Sequence, residues 1–477
     1  KSHILKINKY RNMKKIVAFA VLGILITAGC RKIEVDGNGK GDGNTTSGET
    51  NVLSGKINAD KTLKEGTTYK LRGIVYVVDG ATLTTEAGTR IEGENSTRRA
   101  LIATRGTKLM ANGTKEKPIV FTSDSSTPSA GDWGGIVMLG RAKTNNSFNG
   151  AAGIGEIEGG VNNADGLGLY GGADDADNSG SLQYVRIEYA GYAFLPDKEL
   201  NSLTLGAVGS GTTIDYVQVS YALDDAFEWF GGTVNCSHLI AYKTLDDDFD
   251  SDNGYRGNVQ FGIVLRDSSR ADISKVEAFE SDNDANGSDL RPQTAPVFSN
   301  ITAIGPREKI NNTGNSLYNA AAQLRRNTSL SVFNSVIMGW PAGLLIDASK
   351  GTPVHGNITA GKLVIQNTTI AGCAAPTKFA DNTGVATGWT NTDVSNWFGA
   401  AAHHNEILAE NAEVKLADAF NYANPDFTPL AGSPLLNSAS FAHAKVASGF
   451  TPVTFRGAVG AAGTPEGDWW KGWTSFD

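Results

Sequence analysis

Between Ser181 and Gly372, short apolar strands alternate with turns rich in Asp, Asn and Gly, and the strands copy one another. Tyr184-Val-Arg-Ile-Glu-Tyr189-Ala returns as Tyr216-Val-Gln-Val-Ser-Tyr221-Ala, 32 residues later. Asn300, Asn334 and Asn367, spaced by 34 and 33 residues, each open a six-residue frame closed by Gly305, Gly339 and Gly372. A repeat of this length means that each unit buries its apolar face against its neighbours, so the chain stacks along one axis. Glycine agrees with this: 57 of 477 residues is well above the usual share of about 7% and suits many tight turns. Aligning Tyr189, Tyr221, Tyr242 and Phe279 gives spacings of 32, 21 and 37, so the turns accept insertions.

Strand–turn units begin at Val52. Tyr69–Val78, Ala81–Gly93, Gly106–Gly113 and Pro118–Thr122 alternate apolar and polar residues with period two, as strands with one buried face do. Thr82-Leu-Thr-Thr-Glu-Ala-Gly-Thr-Arg-Ile91, then Gly106-Thr-Lys-Leu-Met-Ala-Asn-Gly-Thr and Pro118-Ile-Val-Phe-Thr-Ser, resembles the first coils of right-handed parallel β-helices. The expected fold is all-β, a parallel β-helix over 52–392, with a loop excursion at 141–180 where no helix or strand period survives. Val394, Trp397, Phe398, Ala401, Ala402, Ile407 and Leu408 lie near helical spacing and predict one helix capping the open end, with Asp393 or Ser395 as N-cap. Residues 393–477 are expected to hold this helix, a final coil near Asn424–Asn437 and an aromatic closure. In that closure Trp469, Trp470, Trp473 and Phe476 plug the carboxy-terminal side or pack along it. Exposed Trp also stacks on sugar rings, which is the alternative use of these residues.

At the amino terminus, Lys14 and Lys15 precede a 13-residue apolar run, Ile16–Ala28, and then Thr27-Ala-Gly-Cys30. The run matches a secretory h-region and is short for a bilayer span. Small residues before a Cys resemble a lipobox, with Thr27 where Leu, Ile or Val is usual. Residues 1–29 are therefore expected to be a lipoprotein signal peptide, with 1–12 a mis-assigned start before Met13. Cys30 is the expected lipidation site and 30–51 a flexible linker. An ordinary cleaved signal peptide is the alternative.

A formal charge of -8 and a pI near 5.4 lack the basic stripe that nucleic acid requires, so no nucleic-acid partner is expected. Cys236 and Cys373 lie several coils apart, too far for a bridge at about 4.8 Å per coil, and read as small buried side chains. Acids concentrate in Leu223–Glu228, Leu245–Asn253 and Phe279–Asp284. In-register stacking would gather them on one edge, close enough to raise their pKa values or share a cation, Ca²⁺ by donor type. Three readings stand side by side. The acids fill turns; or Asp224, Asp246, Asp248 and Asp252 hold Ca²⁺; or Asp225, Asp247 and Asp250 beside Arg256 or Arg266 form an acid–base site. The histidines show no zinc spacing and no nucleophile elbow occurs.

Trp133-Gly-Gly-Ile-Val, Leu205-Gly-Ala-Val-Gly-Ser-Gly, Phe230-Gly-Gly-Thr-Val-Asn and Asp246-Asp-Asp-Phe-Asp-Ser-Asp-Asn-Gly, with the Arg456-Gly … Gly472-Trp-Thr tail, make the chain similar to a family of parallel β-helix lipoproteins. These are outer-membrane and surface lipoproteins of the Bacteroidota kind, a family without a settled activity. The resemblance implies an outer-membrane lipoprotein, expected at the cell surface, with the periplasmic face as the other location. Catalysis on β-helices usually means polysaccharide cleavage. The Gly-His-Gly and Arg-Ile-Lys motifs of polygalacturonase-like enzymes are absent, and the arginines near the acidic run lack the motifs of pectate-lyase-like ones. The first expectation is a non-enzymatic protein, attached to the membrane by its lipid, that binds glycans or another surface protein. The second is a polysaccharide lyase or glycoside hydrolase at the acidic edge, and the third a structural spacer.

Overall fold

The computed structural model describes residues 51–94, 98–195, 198–311, 315–381 and 388–477. The expected signal peptide, Cys30 and the linker up to residue 50 lie outside these residues. Within them, 26 strands pair into one continuous parallel sheet that coils on itself as a parallel β-helix. No described helix is long and apolar enough to cross a membrane.

One coil shows the construction. Thr213–Ser220 is a single strand bent at Tyr216, whose φ of 54° is left-handed, and a turn then leads to Phe227–Phe230. The next coil repeats this as Asn235–Tyr242, bent at His238, and Phe249–Asp252. Each coil therefore offers three faces. Register carries from coil to coil: Leu182, Ile214, Cys236, Val259 and Phe298 lie beside one another in turn, all buried. Strands about 4.8 Å apart leave no room for a polar inward side chain without a partner. Cys236 and Cys373 are accordingly buried and unbridged.

The bend is a column of its own. Tyr184, Tyr216, His238, Phe261, Asn300, Asn334 and Asn367 all have φ between 48° and 61°. Asn tolerates this conformation, which explains the asparagine frames. The four aromatic members are held there by stacking: Tyr184 on Tyr216 at 4.3 Å, Tyr216 on His238 at 4.2 Å and His238 on Phe261 at 4.9 Å. The alignment of aromatics expected from the sequence is partly corrected. Tyr189 does stack on Tyr221, but Tyr242 pairs with Ser220, and Phe279 pairs with Phe249 on the third face.

The carboxy-terminal region also differs from expectation. The helix is Asn391–Phe398, with Thr390 as N-cap and Asp393 as its capping-box partner, the Thr390 N–H donating to Asp393 Oδ2 at 2.8 Å. Val394 and Phe398 are buried in the main core, so the helix does close the interior. Ile407 and Leu408 are not helical: Glu406–Leu408 adds a strand to Thr369–Ala371 and carries the stack past residue 392. Trp469, Trp470 and Trp473 are buried in a lid along the bend column. Trp469 meets His238 at 4.9 Å, and Trp473 meets Tyr184 at 5.8 Å. They pack on the stack and offer no sugar platform. The 141–180 excursion holds only two-residue strand pairs, but Ile157, Val161 and Tyr170 anchor it to a satellite core with Tyr76 and Phe230.

Candidate functional site

On the third face, strand alternation sorts apolar from acidic. Phe227, Phe249 and Phe279 align and point inward, ring centroids 5.7 and 5.8 Å apart. Their neighbours Glu228, Asp250 and Glu280 consequently align on the outer side. The turns entering these strands add Asp224, Asp225, Asp246, Asp247 and Glu277. Main-chain donors fix them: the Asp247 N–H donates to Asp225 Oδ1 at 2.9 Å and the Glu277 N–H to Asp247 Oδ1 at 2.6 Å. Glu158 from the excursion and Glu199 with Asn201 form one wall, Ser274 and Lys275 the other. The result is a cleft of about 250 Å³ lined by nine carboxylates and only two cations, Lys275 and Arg325.

Three groups of acids bring oxygens within 4.8 Å of one another: Asp224, Asp225 and Asp246; Asp225, Glu228 and Asp250; Asp247, Glu277 and Glu280. Burial first, and like charge second, holds the carboxyls of Asp224, Asp225, Glu228 and Asp247 well above the usual range. Burial likewise pushes Glu158, Asp246 and Glu277 up to about 7. Asp250 rises only to about 6, because Arg325 offsets part of its burial. Arg325 neutralises one end of the cleft, pairing with Glu280 and, through Nε, with Asp282 at 2.9 Å. Three buried acceptors, Asn201 Oδ1, Asp250 Oδ1 and Glu277 Oε2, have no donor.

Of the residues singled out from sequence, Asp224, Asp225, Asp246, Asp247 and Asp250 meet in the cleft. The others do not line it. Asp248 turns inward to a fully buried ion pair with Arg266, 2.9 Å from Nη1. Arg256 pairs with Asp175 of the excursion at 3.0 Å. Asp252 accepts from Asn253 at 3.1 Å, beyond the cleft lining. The expected partnership of the acids with Arg256 or Arg266 is therefore corrected: the guanidinium present is that of Arg325, at the end of Ala320–Arg325. Aligning Phe227-Glu, Phe249-Asp and Phe279-Glu would have revealed Glu228 and Glu280 together. Glu158, Glu199 and Asn201 carry no local signal, because loops deliver them from outside the repeat.

A family model described as a pectate-lyase-like β-helix domain matches residues 55–412, most of the chain and every strand that builds the cleft. The chain belongs to this pectate-lyase-like β-helix family. No curated protein matches it. The family match ends just after Glu406–Leu408, the last strand in the stack, so the tryptophan lid lies outside the matched residues. Among the residues of this pectate-lyase-like protein whose side-chain burial is described, the exposed large apolar side chains are Ile273, Leu290, Ile407 and Leu430.

Proposed function

We propose that this pectate-lyase-like β-helix protein is a non-catalytic glycan-binding lipoprotein of the outer membrane, anchored through Cys30 and facing the cell exterior. The observation that carries the binding reading is the cleft lining: nine carboxylates and Asn201 present acceptors, while Lys275 and Arg325 are its only cationic donors. Sugar hydroxyls are donors in adjacent pairs, the complement of paired carboxylate oxygens. A further groove of about 670 Å³ continues from Glu199, Asp224 and Asp246 to Leu223 and Ile273, with space for more than one ring. The family description, pectate-lyase-like, points to a polysaccharide as the class of ligand. The anchor rests on Lys14-Lys15, the apolar run and Thr27-Ala-Gly-Cys30.

A second reading, polysaccharide lyase or glycoside hydrolase, is favoured by Asp225, Asp247 and Asp250 sharing the cleft. It ranks second because the guanidinium in the cleft, Arg325, is committed to Glu280 and Asp282. The test is a glycan array probed with the full chain, with and without Ca²⁺, followed by product analysis on every hit. Glycan recovered intact, and lost to the Asp225→Asn/Asp247→Asn pair, is the expected result. New reducing ends or unsaturated sugars would replace the binder with the enzyme.

A further inference from the structure

We infer that a slot beside Tyr189, away from the acidic cleft, holds a single pyranose ring stacked on that tyrosine. Where the bent strands end, the turn opens on a second left-handed column: Tyr189, Tyr221 and Lys243, with φ of 60°, 57° and 54°. Tyr189 and Tyr221 stack at 5.1 Å with 9° between their planes, and Lys243 Nζ lies 5.4 Å from the Tyr221 centroid. The column stops short at its other end. The register that pairs Ile187 with Phe121 brings Ser123 beside Tyr189, and Ser123 is a strand residue with neither a ring nor a left-handed bend. Among the described residues, Tyr221 is the one ring that stacks on Tyr189, so the face toward the preceding coil carries none.

The space left there is a slot of about 250 Å³ whose lining includes Tyr189, Tyr221, Ser123, Ser125, Arg90 and Arg186. This is just below the roughly 300–1,000 Å³ of pockets for drug-sized ligands and suits one ring. Half-buried Tyr189 supplies an aromatic wall, and most of the remaining lining is hydroxyl or charged. Arg90 and Arg186 each spend Nε on a neighbouring carboxylate, Glu92 at 2.7 Å and Glu188 at 3.1 Å, and keep their terminal NH₂ groups as donors. Ser125 Oγ accepts from the Thr127 N–H at 3.2 Å and keeps its own proton to donate. The Tyr221 hydroxyl donates to the Asp477 carbonyl at 2.7 Å, which ties Asp477 to the edge of the slot. One aromatic face amid hydrogen-bonding groups matches a pyranose, which offers C–H groups on a ring face and hydroxyls at its rim. A hydrocarbon ring would leave the polar lining unmatched. The slot and the acidic cleft share no lining residue among those described. The inference thus rests on the glycan reading of the protein but not on the acidic cleft.

The experiment is saturation-transfer NMR on the full chain with a panel of neutral and uronic methyl pyranosides as probes. At least one pyranoside is expected to take up saturation from the protein, most strongly at the C–H protons of one ring face. Tyr189→Phe keeps the ring and is expected to leave Kd within about threefold. Tyr189→Asn removes the ring while tolerating the left-handed bend, and is expected to raise Kd about tenfold. Thermal melting reports whether each variant folds. Arg186→Gln, expected to raise Kd about threefold, serves if Tyr189→Asn does not fold. The Asp225→Asn/Asp247→Asn pair, in the acidic cleft, binds the pyranoside as the wild type does. Saturation of no pyranoside, or an unchanged Kd on Tyr189→Asn (on Arg186→Gln where that variant stands in), overturns the inference. The two readings fail separately. Array hits lost to the cleft pair, with no pyranoside at Tyr189, sink the slot alone. A pyranoside lost to Tyr189→Asn, with array hits indifferent to the cleft pair, sinks the cleft as a glycan site and keeps the slot.

Discussion

Asp247 and Asp248 are adjacent, yet one faces the cleft and the other lies in the interior with 0% of its side chain exposed, matched to an equally buried Arg266. Tyr318 lies against that guanidinium, 5.4 Å from ring centroid to Cζ. Taking two charges out of water is costly, and the contact of Arg266 Nη1 with Asp248 Oδ1 offsets it, although Asp248 Oδ2 and Arg266 Nε are left without hydrogen-bond partners. Even so, burial pushes the Asp248 carboxyl up to about 6. Arg266→Met leaves the acid without its partner and is expected to cost about 3–5 kcal/mol, read by urea denaturation at neutral pH. The double change Arg266→Met/Asp248→Leu recovers most of that loss; a double variant no better than the single one would contradict the pairing. Three successive aspartates in the sequence show that acid is concentrated here. Which of them points out depends on strand register, which a run of identical residues cannot reveal.

The tryptophan lid is the element whose role composition left divided between packing and sugar stacking. Trp473 is 1% exposed, donates from Nε1 to the Trp469 carbonyl at 2.9 Å and presses edge-on against Tyr184 and Tyr216. Trp473→Ala is expected to cost about 3–5 kcal/mol through the cavity it leaves. Because the lid packs outside the coils, the near-ultraviolet dichroism should change while the far-ultraviolet β signal stays. Loss of both together would mean that the coils cannot stand without the lid. The short helix was legible from Val394 and Phe398, since helical spacing needs no distant partner. Ile407 and Leu408 were misread with it because a three-residue strand has no period of its own and is defined only by Thr369–Ala371 beside it.

For the whole molecule, the acidic cleft and the buried acids beside it make stability depend on pH. Glu158, Asp246 and Glu277 are pushed up to about 7 and Asp252 to about 8, against about 4 in an unfolded chain. Between these values the folded protein binds protons that the unfolded chain releases. The stabilisation is complete below about pH 4 and is lost as pH rises through about 8. In EDTA the melting temperature is therefore expected to fall from about pH 5 to about pH 8, with a flatter curve for Glu228→Gln. A melting temperature that climbs across this window would mean that the cleft acids are ionised at no cost.

The stack is legible residue by residue: period-two strands, asparagines at the bend and glycine-rich turns are local demands that only coil-on-coil packing meets together. Acid at the right turns is legible too, because each coil carries its own copy. Which acids meet is set by the folded path. Coils of unequal length hide the register, and Glu158, Asn201 and Arg325 reach the cleft from three separate parts of the chain. Their proximity is a property of the folded path, and no spacing along the chain encodes it.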